Sequence, residues 1–154
     1  MRKALLLFAV LGLAGSLWAA DPIIGTWRLN VEKSERSTSA AVPVKEQIEV
    51  YREIDNDLIE LTLTRTRTDG SFSSSKLTWP VQGGAVKGNR REGQSLVETL
   101  IAPGEWYVTY MRDGKQYLTV HKAVSKDGKT LTQTFKGVDS SGKLIEATAV
   151  FDRQ

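Results

Sequence analysis

Arginines and hydroxyl-bearing residues stand at the polar ends of alternating apolar runs in this 154-residue chain. Ile59, Leu61 and Leu63 are followed in the same phase by Arg65 and Arg67, and Trp106, Val108 and Tyr110 by Arg112. Ser73 and Ser75 lie on the run between them. Guanidinium forks and hydroxyls at the edge of an apolar surface suit a carboxylate or sulfate whose hydrocarbon part lies inside. Arg65, Arg67, Ser73, Ser75, Tyr110 and Arg112 are therefore the candidate ligand-binding residues. A second reading stays open: strand ends meet water, where arginines are solvated and pair with nearby acids.

Other chemistries are poorly supplied, and no catalytic residue, cofactor or metal site is assigned. The chain has no Cys and a single His, so thiolate chemistry is excluded and a zinc site would need a spaced carboxylate cluster that does not occur. His121 shares an outward phase with Thr119 and Tyr117, which leaves a ligating role remote. Glu46, Glu49, Glu53 and Glu60 fall mostly in the outward phase, so paired-carboxylate hydrolysis has no footing. Ser73 to Ser75 have no adjacent base, and Gly83-Gly84 reads as a turn, not a phosphate cradle.

The elements that position these residues are strands. Period-two stretches rich in Thr, Val, Ile and aromatics occupy 23–31, 44–55, 58–68, 72–81, 85–88, 95–101, 106–112, 116–126, 130–138 and 144–153. Turn pairs such as Asp69-Gly70, Asp113-Gly114 and Asp127-Gly128 separate them. Consecutive hairpins of this number bury an inner face by closing, which predicts an all-β fold: one antiparallel up-and-down barrel of about 8–10 strands. A two-residue turn at 56–57 would set Ile54 against Ile59 and Val50 against Leu63. Turns of three residues would set Leu63 against Leu77, Leu61 against Trp79, Tyr110 against Leu118 and Val108 against Val120. The later hairpins set Val124 against Leu131, Val120 against Phe135, Phe135 against Ala147 and Leu131 against Phe151. A one-residue slip would turn a strand's apolar set outward. The long connection 32–43 reads either as a lid over one mouth or as a plain connector.

Residues 1–20 have the layout of a secretory signal peptide: Arg2 and Lys3, an apolar run from Ala4 to Leu17, then Ala19 and Ala20. The run is shorter than the roughly 20 residues a span needs. Export to the periplasm or beyond is the expectation, with 21–154 as the mature domain and no membrane span left after cleavage. The formal charge of +3 then shrinks, since 19 basic against 18 acidic side chains remain. These cations are interleaved with acids, so no nucleic-acid surface is expected.

The mature chain opens on Gly25-Thr26-Trp27, and Arg153 near its end shares the phase of Ala147, Ala149 and Phe151. This pattern resembles lipocalins and the wider calycin group, where such a Trp plugs the closed end of the barrel against an Arg from the last strand. It is also similar to small exported bacterial proteins with a lipocalin-like barrel and no assigned activity. The resemblance implies that Gly25, Trp27 and Arg153 are structural, and that a small lipophilic or amphipathic molecule binds inside. The chain lacks the lipocalins' middle motif and C-terminal helix, and has no room for a two-helix lid. The alternative is a protein partner bound through outward-facing Tyr51, Phe72, Tyr107, Met111 and Tyr117.

Overall fold

In the computed structural model, which describes residues 20–35, 43–55, 57–88, 92–139 and 141–154, the chain is an antiparallel, nearly closed β-barrel. Residues 1–19 of the predicted signal segment 1–20 and the middle of the 32–43 connection lie outside the described residues. The strands are β1 (Gly25–Glu35), β2 (Val44–Ile54), β3 (Leu58–Arg67), β4 (Phe72–Pro80), β5 (Gly84–Ala85), β6 (Lys87–Gly88), β7 (Gln94–Ala102), β8 (Glu105–Arg112), β9 (Lys115–Val124), β10 (Thr130–Val138) and β11 (Leu144–Arg153). They form one sheet in the order β5-β7-β8-β9-β10-β11-β1-β2-β3-β4-β6. The first and last long strands pair, as expected, with Trp27 opposite Arg153.

The predicted strand 85–88 is two short ones. β6 pairs with β4 and β5 with β7, so the sheet's two ends are consecutive in the chain. Val86, between them, is buried and donates its N–H to Leu96 at 3.0 Å. β1 also runs further than expected, to Glu35, through an irregularity after Asn30. There the Ser34 hydroxyl donates to the Asn30 carbonyl at 2.6 Å and accepts the Val150 N–H at 3.0 Å, occupying backbone groups that the ladder leaves open.

The hairpins after residue 104 have the predicted register: Tyr110 faces Leu118, Val108 faces Val120, Leu131 faces Val124 and Phe151, and Phe135 faces Val120 and Ala147. The β3–β4 pairing is shifted by two residues, with Leu61 opposite Leu77 and Arg65 opposite Ser73, which preserves the inner phase. The β2–β3 hairpin overturns its prediction. Ile54 pairs with Leu58, because Asp55 takes a left-handed conformation (φ 51°) and lengthens the turn to residues 55–57. Gln47, Glu49 and Tyr51 consequently face inward, buried, while Ile48 and Val50 stay half-buried in the other phase.

The apolar core fills the end of the barrel at which β1 begins and β11 ends. Trp27, Trp79, Trp106, Ile23, Leu131 and Phe151 are each at most 1% exposed. Trp79 meets Tyr51 and Trp106 edge-on, with ring centroids 6.2 and 6.3 Å apart. The Arg153 guanidinium lies 4.2 Å from the Trp27 ring centroid and donates to the carbonyls of Ile24, Pro22 and Gly128. Gly25 takes φ 145°, a conformation that residues with a Cβ rarely adopt, and a Cβ there would also displace Arg153 Nη1. The Trp27 indole N–H donates to the Ile23 carbonyl at 2.8 Å.

Candidate functional site

Above the aromatic floor the inner wall turns polar. β2 contributes Gln47, Glu49 and Tyr51, β7 contributes Glu98, β9 Lys122 and β10 Gln133, all buried. Glu49 accepts three hydrogen bonds of 2.7 Å: from Gln47 Nε2 on one oxygen, and from the Tyr51 hydroxyl and Gln133 Nε2 on the other. Lys122 Nζ donates to Glu98 Oε1 at 2.8 Å and lies 5.4 and 5.2 Å from the ring centroids of Tyr51 and Trp79. Burial pushes the Glu98 carboxyl above its ordinary pKa, and the Lys122 charge opposes that shift. Glu98 Oε2 is one of three buried side-chain polar atoms without a partner among the described residues, with Trp79 Nε1 and Trp106 Nε1.

This belt surrounds an inner chamber of about 80 Å³, also lined by Leu61, Leu63, Leu77, Leu96 and Tyr110. A larger chamber of about 250 Å³ lies at the mouth, lined mainly by Leu29, Val31, Val44, Phe135 and Ala149, with Ser34 and Glu35. Gln47, Arg65 and Phe135 border both chambers. Arg65 Nε donates to Gln47 Oε1 at 2.8 Å, the one hydrogen bond that this guanidinium makes among the described residues. Burial lowers its pKa, Arg67 adds to the effect, and Glu49 and Tyr110 oppose it. An arginine nonetheless stays charged under any ordinary condition.

The other predicted ligand residues divide. Tyr110 lines the inner chamber, and burial raises its hydroxyl pKa far above the usual value. Ser73 and Ser75 are half-buried opposite Arg65 and Leu63, and neither borders a chamber. Arg67 pairs with Val44 at the rim. Arg112 stacks on Tyr117, 4.6 Å from its centroid, and that ring meets Tyr110 edge-on. A register shift after Tyr110 accompanies this grouping.

Two expectations about the outer and inner faces are corrected. Tyr51 is not part of an outer aromatic patch but lies inside at 1% exposure, and Glu49 is inward at 2%; both follow from the lengthened turn at Asp55. Tyr107 stacks on His121 at 4.8 Å, and His121 Nε2 lies 2.9 Å from Glu105 Oε1, while Tyr117 belongs with Tyr110 and Arg112. Inward acids and an inward ammonium therefore exist, as Glu49, Glu98 and Lys122. Glu98 and Lys122 had a legible signal, since they share the phases of Leu96 and Val120. Among the described residues, no three His, Asp or Glu side chains gather to hold a metal ion.

This architecture has solved counterparts. The wild-type fluorescent protein UnaG superposes with a TM-score of 0.61 at 16% identity, covering 86% of this chain and 97% of that one. Two point mutants of UnaG give TM-scores of 0.63 and 0.60 at 15% identity, covering 86% of this chain and 96% of theirs. The fold is a lipocalin-like, calycin-type barrel. At this identity the likeness concerns the fold alone. No family model matches the sequence, and no curated protein matches it.

Proposed function

We propose that the protein is an exported carrier or sensor that holds a small amphipathic anion in the mouth chamber. The observation that carries this reading is the position of Arg65. Its guanidinium, bound by one hydrogen bond to Gln47, sits at the boundary between an apolar chamber of about 250 Å³ and the polar belt beneath. A half-buried cation with donors to spare favours a carboxylate or sulfonate, while Leu29, Val31, Val44 and Phe135 offer hydrocarbon contact. Arg67 adds positive charge beside it. The volume lies near the lower bound of roughly 300–1,000 Å³ for ligand pockets, which suits a compact molecule better than a long acyl chain.

Anilinonaphthalene sulfonate, which combines rings with a sulfonate, is a suitable probe. Its fluorescence should rise on binding the wild-type barrel, with affinity about tenfold weaker for Arg65→Met. Unchanged binding by that variant, checked as folded by circular dichroism, would overturn the reading. The export part rests on the signal-like segment 1–20. Fractionation of cells expressing the full chain tests it: a shortened form outside the cytoplasm supports export, and full-length protein confined to the cytoplasm refutes it.

A further inference from the structure

The inner chamber is built differently from the mouth. Its walls carry two carboxylates, Glu49 and Glu98, against Lys122 and Arg65. Both oxygens of Glu49 accept hydrogen bonds, whereas Glu98 has an oxygen with no partner among the described residues although its side chain is only 3% exposed. Leaving a carboxylate oxygen unpaired away from bulk water is costly, so the position favours an incoming hydrogen-bond donor. The donor must be small, because the chamber measures about 80 Å³. It would stand near what Arg65 holds, since Arg65 and Glu98 line the same small chamber.

We infer that the ligand's head carries two groups side by side: an anion held by Arg65 and an adjacent hydroxyl or ammonium donating to Glu98 Oε2. The ligand class is thus an α-hydroxy or α-amino acid with an apolar body, and not a simple fatty acid. This inference rests on the mouth-chamber reading and extends it inward. The apolar body fills the mouth chamber, the carboxylate sits at the Arg65 boundary, and the donor passes inward. Specificity follows from the same arrangement. An acid without the donor leaves Glu98 Oε2 unsatisfied, a penalty that typically separates analogues more sharply than a missing methylene does.

Three matched acids test this by isothermal calorimetry on the wild-type chain: phenylpropionate, phenyllactate and phenylalanine. At least one donor-bearing acid should bind fivefold or more tightly than phenylpropionate, and which one does so separates hydroxyl from ammonium. In the double variant E98Q/K122M, which removes both charges of the buried ion pair, that preference should fall to less than about twofold. If the variant does not fold, the wild-type comparison decides alone. Equal binding of all three acids, as expected of a chamber that holds only water, overturns the inference, as does a preference that survives in the folded double variant. Absence of binding by all three acids overturns it as well. The mouth reading is judged separately, by the Arg65 dependence of anilinonaphthalene sulfonate binding.

Discussion

Arg65 and Gln47 face each other across adjacent strands, joined by a 2.8 Å hydrogen bond at the wall shared by the two chambers. The bond uses the guanidinium Nε–H, which a lysine lacks. Arg65→Lys therefore keeps the charge and loses both this contact and the planar fork. Affinity for anilinonaphthalene sulfonate should fall by roughly threefold, against about tenfold for Arg65→Met. Fluorescence titration at low and high salt measures both, and equal losses would mean that the fork, not the charge, holds the anion.

Glu49 is the hub of the polar belt, with Gln47, Tyr51 and Gln133 all donating to it. Replacing it by Leu leaves three inward donors without their acceptor. Each unsatisfied buried group costs on the order of 1–3 kcal/mol, and the three are not additive because water can enter the space vacated. Glu49→Leu should lose about 3 kcal/mol in urea unfolding, whereas Glu46→Leu, whose carboxylate pairs with Arg28 at the surface, should lose less than about 1 kcal/mol.

The contrast between Glu49 and Arg153 shows what alternation in the sequence can carry. Trp27 and Arg153 follow from strand phase and antiparallel closure, and the barrel places them opposite each other. Phe135, Leu131 and Phe151 likewise meet their expected partners, because Asp127-Gly128 and the 139–143 loop have ordinary lengths. Glu49 and Tyr51 depend instead on one backbone torsion, the left-handed Asp55, which no apolar pattern encodes. Once that residue joins the turn, every side chain of β2 changes face. Ile48 and Val50 look like core residues by type, yet the polar alternative is tolerated because Gln47 accepts from Arg65 and donates to Glu49, while Gln133 donates to Glu49 from a third strand. A two-residue shift in β4 leaves the face of Arg65 unchanged, and Arg65 borders both chambers; Ser73 and Ser75 border neither, because lining a chamber depends on side-chain length as well as phase.

Lys122 and Glu98 form an ion pair with side chains 7% and 3% exposed. Removing one partner strands a buried charge, so Lys122→Met should cost about 3–5 kcal/mol. Removing both charges in E98Q/K122M should restore a substantial part of that loss. A double-mutant cycle by thermal or urea unfolding measures it, and additive losses would show that the two side chains are not coupled.

Arg153 closes the floor by stacking on Trp27 and by bonding three carbonyls from the N-terminal segment and the β9–β10 turn. Arg153→Met keeps part of the apolar stem and loses these charge-assisted bonds. A loss of about 2–4 kcal/mol is expected, from roughly 1.5–3 kcal/mol per hydrogen bond to a charged group, discounted for the exposed end of the side chain. Trp fluorescence should report the change, through altered exposure of Trp27, before the global unfolding transition seen by circular dichroism.

Tyr51 and Tyr110 make the barrel sensitive to alkali. Burial is the main cause of the raised pKa of both hydroxyls; for Tyr51 the neighbouring Glu49 charge and hydrogen bond add to it, and for Tyr110 the charges of Glu98 and Glu49 do. The folded state therefore holds these two phenolic protons more tightly than the unfolded chain, whose reference value is 10.0. The stability linked to that difference is fully present below pH ~10 and falls as pH rises above it, because the unfolded state then releases protons that the folded state retains. Ultraviolet difference absorbance should show fewer than the chain's four tyrosines ionising while the barrel is intact, with the remainder appearing together as it unfolds. In Tyr110→Phe the late step should shrink, and its midpoint should move to higher pH because one linked proton is gone. A late step of unchanged size in that variant would show that Tyr110 ionises freely in the folded barrel.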